Sequence, residues 1–452
     1  MNRMSNIKVR FPPSPTGYCH VGTARMAVLN FLFARKHGGT IVFRSEDTDR
    51  ERSTKEFEED IVEQLHWLGL SWDEFYRQSE RTAVYTTVIE QLLREDKAYI
   101  SEELSKKDAN VIVQVVRLRN PGSAVTFNDV IRGDITFDTK ELGDFAIART
   151  INDPLYHLTV VVDDAEMNIS HVIRGEDHIS NTPRQILIQQ ALGYPRPLYA
   201  HFPLHLAADK SKLSKRKGDV AVRSYREKGY LPEAFFNYLA TLGWTPPSAR
   251  EIMTMDEMVA EFDLKDLHKS GAVFDLEKLR WFNRQYAERM NDEEFTQYAL
   301  PSLLTALKIK GLSQDFEPAR PLVPIVRERI SVAGEIEGLV AAGEFDSFFV
   351  DPTLDAVHIP DKKSNISEAR KHLSFAQEAL SKIEDENWTA ETIKSVLWDY
   401  ATNEGRGAVL WPLRYSLSGR DKSPDPFMIA SIIGKGATIS RVTRALKLLS
   451  PV

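Results

Sequence analysis

The sequence has one cysteine, Cys19, in 452 residues. A single thiol excludes an intramolecular disulfide and any cysteine-cluster zinc site. No apolar run approaches the roughly 18–20 residues that span a bilayer, so no membrane partner is expected. Met1 to Ser5 lead directly into a strand-like segment without an apolar leader, and the expected compartment is the cytoplasm. There is no repeat of fixed period and no low-complexity tract. Positive charge is not in excess either. Lys and Arg number 58 against 65 Asp and Glu, a net charge of −7, which argues against a generic polyanion binder. The balance is uneven, however: residues 401–452 hold eight basic residues and three acids. Alone, that tail reads first as a solvated basic face and second as a nucleic-acid surface. The length predicts about two to four domains, and 42% hydrophobic residues suffice for sizeable cores.

The most informative stretch is Arg10-Phe11-Pro12-Pro13-Ser14-Pro15-Thr16-Gly17-Tyr18-Cys19-His20-Val21-Gly22-Thr23. An apolar strand, Ile7 to Phe11, feeds a loop stiffened by three prolines. A helical pattern from Thr23 to Lys36 follows and stops at Gly38-Gly39. A strand, tight loop and helix N-terminus present unpaired N–H groups and the positive end of a helix dipole, which favour phosphate. Gly17 and Gly22 permit close approach, and His20 adds a donor. Cys19 beside His20 lacks a base-and-orienter constellation, so it reads as a packed side chain rather than a nucleophile.

Thr40 to Arg44 is a second buried strand ending at Ser45-Glu46-Asp47-Thr48-Asp49. A short strand–helix–strand return implies a parallel pair with ligands at the strands' carboxyl ends. Arg10 and Ser14 follow the first strand and Glu46 the second, so a zwitterion such as an amino acid fits that rim. Ser53 with Glu56 reads as a capping box before a helix carrying Phe57, Ile61, Leu65 and Leu68. A further helix is expected over Thr82 to Glu95. From Ala98 to Thr150 short strands alternate with turns: Val111 to Leu118, Val125 to Phe127, Ile135 to Phe137 and Phe145 to Ile147.

Leu155 to Asp164 reads as a buried strand with polar groups at its end, and Ser170 to His178 as another. His171, Glu176, Asp177 and His178 frame no i, i+4 His pair, so they read as strand-end polar groups rather than metal ligands. Asn181-Thr182-Pro183 opens a helix that Gly193 stops. Lys210 to Lys217 packs five cations into eight residues between serines, the composition of a phosphate clamp. Beyond Val220 the pattern is helical: Pro232–Leu242, Asp275–Met290, Asp292–Lys308, Pro321–Ala342, Ser367–Glu384 and Ala390–Asn403.

These motifs combine. Pro13 to Thr23 resembles the HIGH signature of class I aminoacyl-tRNA synthetases, and Lys212-Leu213-Ser214-Lys215-Arg216, about 190 residues later, resembles their KMSKS signature. Arg44 to Asp49, Tyr156, Val161 to Asp164 and Val172 to Asp177 resemble the glutamyl/glutaminyl subgroup. The helical half, with Trp411 to Arg414 and Leu417 to Arg420, resembles the bacterial glutamyl type. The resemblance implies a multidomain α/β protein: a Rossmann-type catalytic domain with an α+β insertion, then an all-α anticodon-binding half. The implied boundaries are 1–97 and 151–205 for the catalytic halves and 98–150 for a short acceptor-binding insertion. Residues 206–290 would hold the KMSKS loop and a stem-contact domain, and 291–365 and 366–452 two anticodon subdomains.

The implied activity is ATP-dependent attachment of L-glutamate to tRNA(Glu) through glutamyl-adenylate, with transfer to a 2′-hydroxyl. Mg2+ would accompany ATP as substrate. By resemblance, Arg10, Ser14, Glu46, Tyr156 and Arg174 hold glutamate, with Arg174 on its side-chain carboxylate and Glu46 on its ammonium. His20, Gly22, Gly175, Asp177, His205, Leu206 and Lys215 hold ATP. His20, Lys212, Ser214, Lys215 and Arg216 form the catalytic set. Several relatives carry a cysteine-bound zinc in the insertion, but no cysteine stands there in this chain, so no metal site is expected. A monomer is expected. A form that also charges tRNA(Gln) and a non-catalytic tRNA-binding paralogue are the alternatives; the presence of His20, Lys212 and Lys215 counts against the second.

Overall fold

Strand β1 (Lys8–Phe11) starts a parallel sheet in the computed structural model, which describes residues 7–104, 111–206 and 221–450. Helix α1 (Val21–Lys36) follows, and β2 (Thr40–Ser45) returns beside β1 in the register Val9↔Ile41 and Phe11↔Phe43. The return is tight because Thr40 N–H donates to the Ile7 carbonyl at 2.9 Å. Any Cβ on Gly39 would sit 2.6 Å from that oxygen, so only glycine fits there. α1 is buried on nearly every side, as a helix sandwiched inside an α/β body must be.

Helix α2 (Lys55–Trp67), strand β3 (Glu74–Arg77) and helix α3 (Thr82–Arg94) complete the first half, with β3 parallel to β2. The cap of α2 differs from the Ser53–Glu56 box. Thr54 Oγ1 accepts from Phe57 N–H at 3.2 Å, because Thr54 N–H is itself held by the Pro15 carbonyl at 3.1 Å. That backbone bond moves the helix start one residue along.

Strands β4 (Ala98–Leu104), β5 (Ile112–Leu118), β6 (Ala124–Asp129), β7 (Gly133–Asp138), β8 (Phe145–Thr150) and β9 (Asp153–Pro154) follow. β4, β5, β8 and β9 make an antiparallel sheet. The β6–β7 hairpin instead joins the catalytic strands described next.

Helix α4 (Tyr156–Glu166) occupies the segment expected as a strand. Seven consecutive residues, Leu158 to Asp164, are buried, so no alternation or 3.6-residue period distinguishes the two states in sequence, and the Val160-Val161-Val162 run biases the reading to β. Tertiary geometry decides. Tyr156 and Asp164 both surround the Arg10 guanidinium, and eight residues rise about 12 Å in a helix but about 27 Å in a strand.

Strand β10 (His171–Gly175), helix α5 (Thr182–Leu192) and strand β11 (Leu198–Phe202) close the α/β body. β10 and β11 are parallel, and β10 is stitched to β1 where Ser170 N–H donates to the Lys8 carbonyl at 2.9 Å. Short β12 (His205–Leu206) pairs with a later strand at Ala272–Val273 (β13). Helices α6 (Val222–Glu227), α7 (Pro232–Thr241), α8 (Met255–Glu261) and α9 (Leu276–Arg289) follow in the expected helical region.

The chain divides into two units, Met1–Tyr286 and Ala287–Val452. In the second, α10 (Asp292–Lys310), α11 (Phe316–Ala319), α12 (Val323–Arg329) and α13 (Glu335–Ala341) precede α14 (Ile366–Ser381), α15 (Ala390–Glu404), α16 (Arg406–Ser418) and α17 (Pro426–Leu448). The single helix expected over Pro321–Ala342 is interrupted: Ile330 is extended, and Glu335 Oε2 accepts from Ser331 N–H and Val332 N–H. α17 kinks at Gly434, where φ is +83°. Leu373, Leu380, Ile393, Leu397, Leu413 and Ile429 form the core of the last four helices.

Of the eight cations in the basic tail one, Arg441, turns inward, whereas Arg406, Lys422 and Lys447 are exposed. Arg441 is buried; its Nε donates to Asp351, its Nη1 to the Ser347 and Leu417 carbonyls and its Nη2 to the Val350 carbonyl. Arg444 donates to the Pro352 carbonyl, Arg420 to the Ala342 carbonyl and Lys435 to the Ile383 carbonyl.

Candidate active site

A cavity of about 360 Å3 opens at the carboxyl ends of β1, β2 and β10, beside the N-terminus of α1. Arg10, Ser14, Glu46, Tyr156 and Arg174 line it, so four separate stretches of chain converge there. His20, Gly22, Gly175 and Asp177 line the same cavity. Leu206 does not; it packs where a Cβ on Gly271 would come within 2.8 Å of its side chain. His205 contributes its backbone to β12. Lys212, Ser214, Lys215 and Arg216 lie outside the described residues.

A chain of buried charge supports the wall. Arg44 Nη2 donates to Glu46 at 3.0 Å and Arg44 Nη1 to Asp164 at 2.7 Å. Asp164 also accepts from Arg10 Nε at 3.3 Å. Arg44 is entirely buried, so its three carboxylate neighbours, Glu46, Asp164 and, 3.8 Å from Nε, Asp163, are what make that charge tolerable. Burial pushes the Glu46 carboxyl up, against the pull of Arg44 and Arg10. Burial acts the same way on Asp164, but the two arginines outweigh it and hold that carboxyl below its ordinary value. On the next helical position, Asp163 accepts from Gln78, Arg81 and Tyr85 at 2.8 to 3.0 Å and so fixes α3 against α4.

Two guanidinium groups on the cavity wall are incompletely paired within the protein. Arg10 Nη1 and Arg174 Nη1 are buried with no hydrogen-bond partner. The rest of Arg174 is held rigidly: Nη2 donates to Thr182 Oγ1 at 2.9 Å and Gln185 Oε1 at 2.8 Å, and Nε to His201 Nε2 at 3.1 Å. Burial lowers the affinity of Arg174 for its proton. Unmet buried N–H groups on a cavity wall call for an anionic ligand. Glu46 supplies the opposite charge in the same cavity.

Tyr156 hydroxyl lies 3.2 Å from His178 Nδ1, and its ionisation is pushed up to about 12 by burial and then by Glu46. Burial and Arg174 push His178 down to about 4. Both are therefore neutral near pH 7, and they orient by hydrogen bonding.

His20 is the N-cap of α1, and its Nδ1 accepts from Gly22 N–H at 3.1 Å. A neutral imidazole accepting at Nδ1 carries its proton on Nε2, so His20 offers a donor at a helix N-terminus. Cys19 is buried, and burial followed by the nearby Asp60 pushes its thiol up, which removes it as a nucleophile. Among the described residues no group of three or more His, Cys, Asp or Glu is arranged for a metal ion, and no helix is long and apolar enough to cross a membrane.

Three residues at or behind the cavity have no binding role assigned from the sequence. His178 carries its signal only through its place two residues after Glu176 at a strand end. His201 and Asp129 carry none, because their meeting depends on β6 adding to β11. Arg44 and Asp164 lay inside recognised motifs, but their mutual ion pair required α4 to be a helix.

A parallel α/β body with a phosphate-seeking helix N-terminus and a zwitterion pocket at its strand ends defines a class I aminoacyl-tRNA synthetase catalytic domain. The family model of class I tRNA synthetases (E and Q), catalytic domain, matches residues 6–107 and 100–281. The anticodon binding domain model matches residues 277–446. The chain is 39% identical over 486 residues to a glutamate–tRNA ligase of Aquifex aeolicus, covering 99% of this chain and all of the relative. It is 36% identical to one of Sulfurihydrogenibium, covering 97% and 99%. A crystal structure of a glutamate–tRNA ligase from Elizabethkingia meningosepticum, in complex with its amino acid, superposes with a TM-score of 0.86 at 33% identity, covering 98% of this chain and 100% of the other. The chain belongs to the glutamate–tRNA ligase family.

Proposed function

We propose that this chain activates L-glutamate with ATP and transfers it to tRNA(Glu), acting as a cytoplasmic monomer. The observation that carries the reading is the charge pattern of the cavity: two unmet guanidinium N–H groups, on Arg10 and Arg174, and one carboxylate, Glu46. Glutamate has two carboxylates and one ammonium, the complementary set. Arg174 takes the side-chain carboxylate and Glu46 the ammonium, while Ser14 and Tyr156 orient the substrate.

In the first step an α-carboxylate oxygen attacks the α-phosphorus of ATP, and the bond to the β-phosphate oxygen breaks. Pyrophosphate leaves with that electron pair, and Mg2+ accompanies ATP as substrate. In the second step the 2′-hydroxyl of the terminal adenosine attacks the activated carbonyl, and AMP leaves. No protein nucleophile is needed, so positioning and charge stabilisation carry the rate. His20 and Gly22 act on the phosphates at the α1 N-terminus, and Gly175, Asp177 and the backbone at His205 and Leu206 on the adenosine. Lys212, Ser214, Lys215 and Arg216 stabilise the departing pyrophosphate. The insertion at 98–150 meets the acceptor end, residues 206–290 the stem, and 291–365 with 366–452 the anticodon.

ATP–pyrophosphate exchange, with and without tRNA, tests this. Exchange is expected with glutamate and not with glutamine. Absence of exchange under both conditions, or a preference for glutamine, overturns it. Lys215→Ala is expected to lower exchange far more than tRNA binding; equal losses would reduce that loop to an RNA patch.

A further inference from the structure

The aim of Arg174 is set from an unexpected direction. Arg174 and His201 are register partners on β10 and β11, so their side chains share one face of the parallel sheet. Arg174 Nε donates to His201 Nε2 at 3.1 Å, and His201 Nδ1 lies 2.6 Å from Asp129 Oδ2. Asp129 is on β6, within the stretch of short strands between residues 98 and 150. His201 and Asp129 are buried, with exposures of 0% and 1%.

The donors and acceptors leave one solution. A guanidinium Nε–H only donates, so His201 Nε2 accepts. A neutral imidazole accepting at Nε2 carries its proton on Nδ1, and that proton points at Asp129. Burial keeps His201 below its ordinary value despite the Asp129 bond, so it is neutral. Burial alone would raise Asp129, but His201 and the Arg132 and Ile131 N–H groups hold it ionised. Both Asp129 oxygens are committed: Oδ1 accepts from Ile131 N–H and Arg132 N–H at 3.0 Å each, and Oδ2 from His201 N–H at 3.1 Å besides the ring. Arg132 locks the turn further by donating to the His201 carbonyl at 3.1 Å and pairing with Glu176.

We propose that Asp129 and His201 are positioning residues that hold the Arg174 guanidinium so that its unmet Nη1 faces the side-chain carboxylate of the bound amino acid. Asp129 fixes the His201 tautomer, and the tautomer fixes the plane of Arg174. The β6–β7 hairpin thereby helps set amino-acid specificity without touching the amino acid. This inference rests on the assignment of Arg174 to glutamate.

The test is ATP–pyrophosphate exchange by the full chain, with tRNA present, at varied glutamate, glutamine and ATP. His201→Leu removes the acceptor, and Asp129→Asn puts a donor among four donors. Both are expected to raise the KM for glutamate at least tenfold and to lower the preference over glutamine, with the KM for ATP within twofold. His201→Gln offers an amide oxygen to Arg174 and an amide N–H to Asp129, and is expected to recover most of the loss. Thermal melting identifies any variant that has not folded, and His201→Gln still decides the question if His201→Leu unfolds. An unchanged glutamate KM, an equal rise for ATP, or a His201→Gln no better than His201→Leu overturns the inference. Arg174→Ala separates the two levels. If it leaves the glutamate preference intact, the assignment of Arg174 has failed. If it abolishes the preference while His201 and Asp129 variants behave as wild type, only the relay has failed.

Discussion

Both units bury arginine, and they bury it for opposite ends. In the C-terminal unit every nitrogen of Arg441 has a partner in the protein: Asp351 and three main-chain carbonyls. In the N-terminal unit Arg10 and Arg174 are as deeply buried, yet each leaves Nη1 unmet. Arg25 and Arg44 also leave one nitrogen, Nε, unmet, but neither lines the cavity. The informative feature is thus the coincidence of an unmet donor with a cavity wall. A saturated guanidinium holds the fold together; an unsaturated one at a cavity is built for something that arrives later.

That contrast can be broken by mutation. The largest effect is expected at Arg174→Ala, which should lower kcat/KM for glutamate about 10^3-fold, the loss of about 4 kcal/mol of charged hydrogen bonding. Exchange kinetics at saturating ATP measure it, and a loss below tenfold would place Arg174 with Arg441. Next, Arg441→Ala should cost about 2–4 kcal/mol of stability, because the buried Ser347 and Leu417 carbonyls and the half-buried bond to Val350 lose their donor. Denaturant unfolding reads that cost, and glutamate kinetics below the transition should be unchanged.

A smaller effect is expected at Glu46. Its carboxyl is raised by burial, so as pH falls it takes up a proton sooner than an ordinary glutamate and releases the ammonium of the substrate. The glutamate KM should therefore rise toward acid pH. Glu46→Gln should flatten that limb and raise the KM about 10- to 100-fold at neutral pH. An acid limb that survives in Glu46→Gln would assign it to another group. Smallest are the caps: Thr54→Ala on α2 and Asp425→Ala on α17 should each cost about 1 kcal/mol. Equal melting shifts without change in glutamate preference would mark them as purely structural in either unit.

Much of this was legible in the chain, and the failures have physical causes. Short βα junctions announce themselves through Gly, Pro and uninterrupted apolar runs, so β1, α1 and β2 were readable within two residues. The Arg10, Ser14 and Glu46 rim followed from strand ends alone. α4 was misread because a fully buried segment has no polar face to betray its period, and only the need to bring Tyr156 and Asp164 around one arginine makes it helical. The role of a single cation in the basic tail was not legible, because charge counted along a sequence says nothing about saturation. Arg441 counts with its exposed neighbours until its carbonyl partners, 24 to 94 residues away in the chain, are known. The Asp129–His201 contact was invisible for the same reason: it joins residues 72 apart in the chain that meet only because β6 pairs with β11 in one sheet.

The most direct test of the distinction between saturated and unsaturated arginines is the ratio of kcat/KM for glutamate to that for glutamine in Arg174→Gln. If the unmet Nη1 faces the substrate's side-chain carboxylate, that ratio falls by about 10^2-fold or more. A ratio equal to wild type, with only a lowered melting temperature, would contradict it and make Arg174 one more structural arginine.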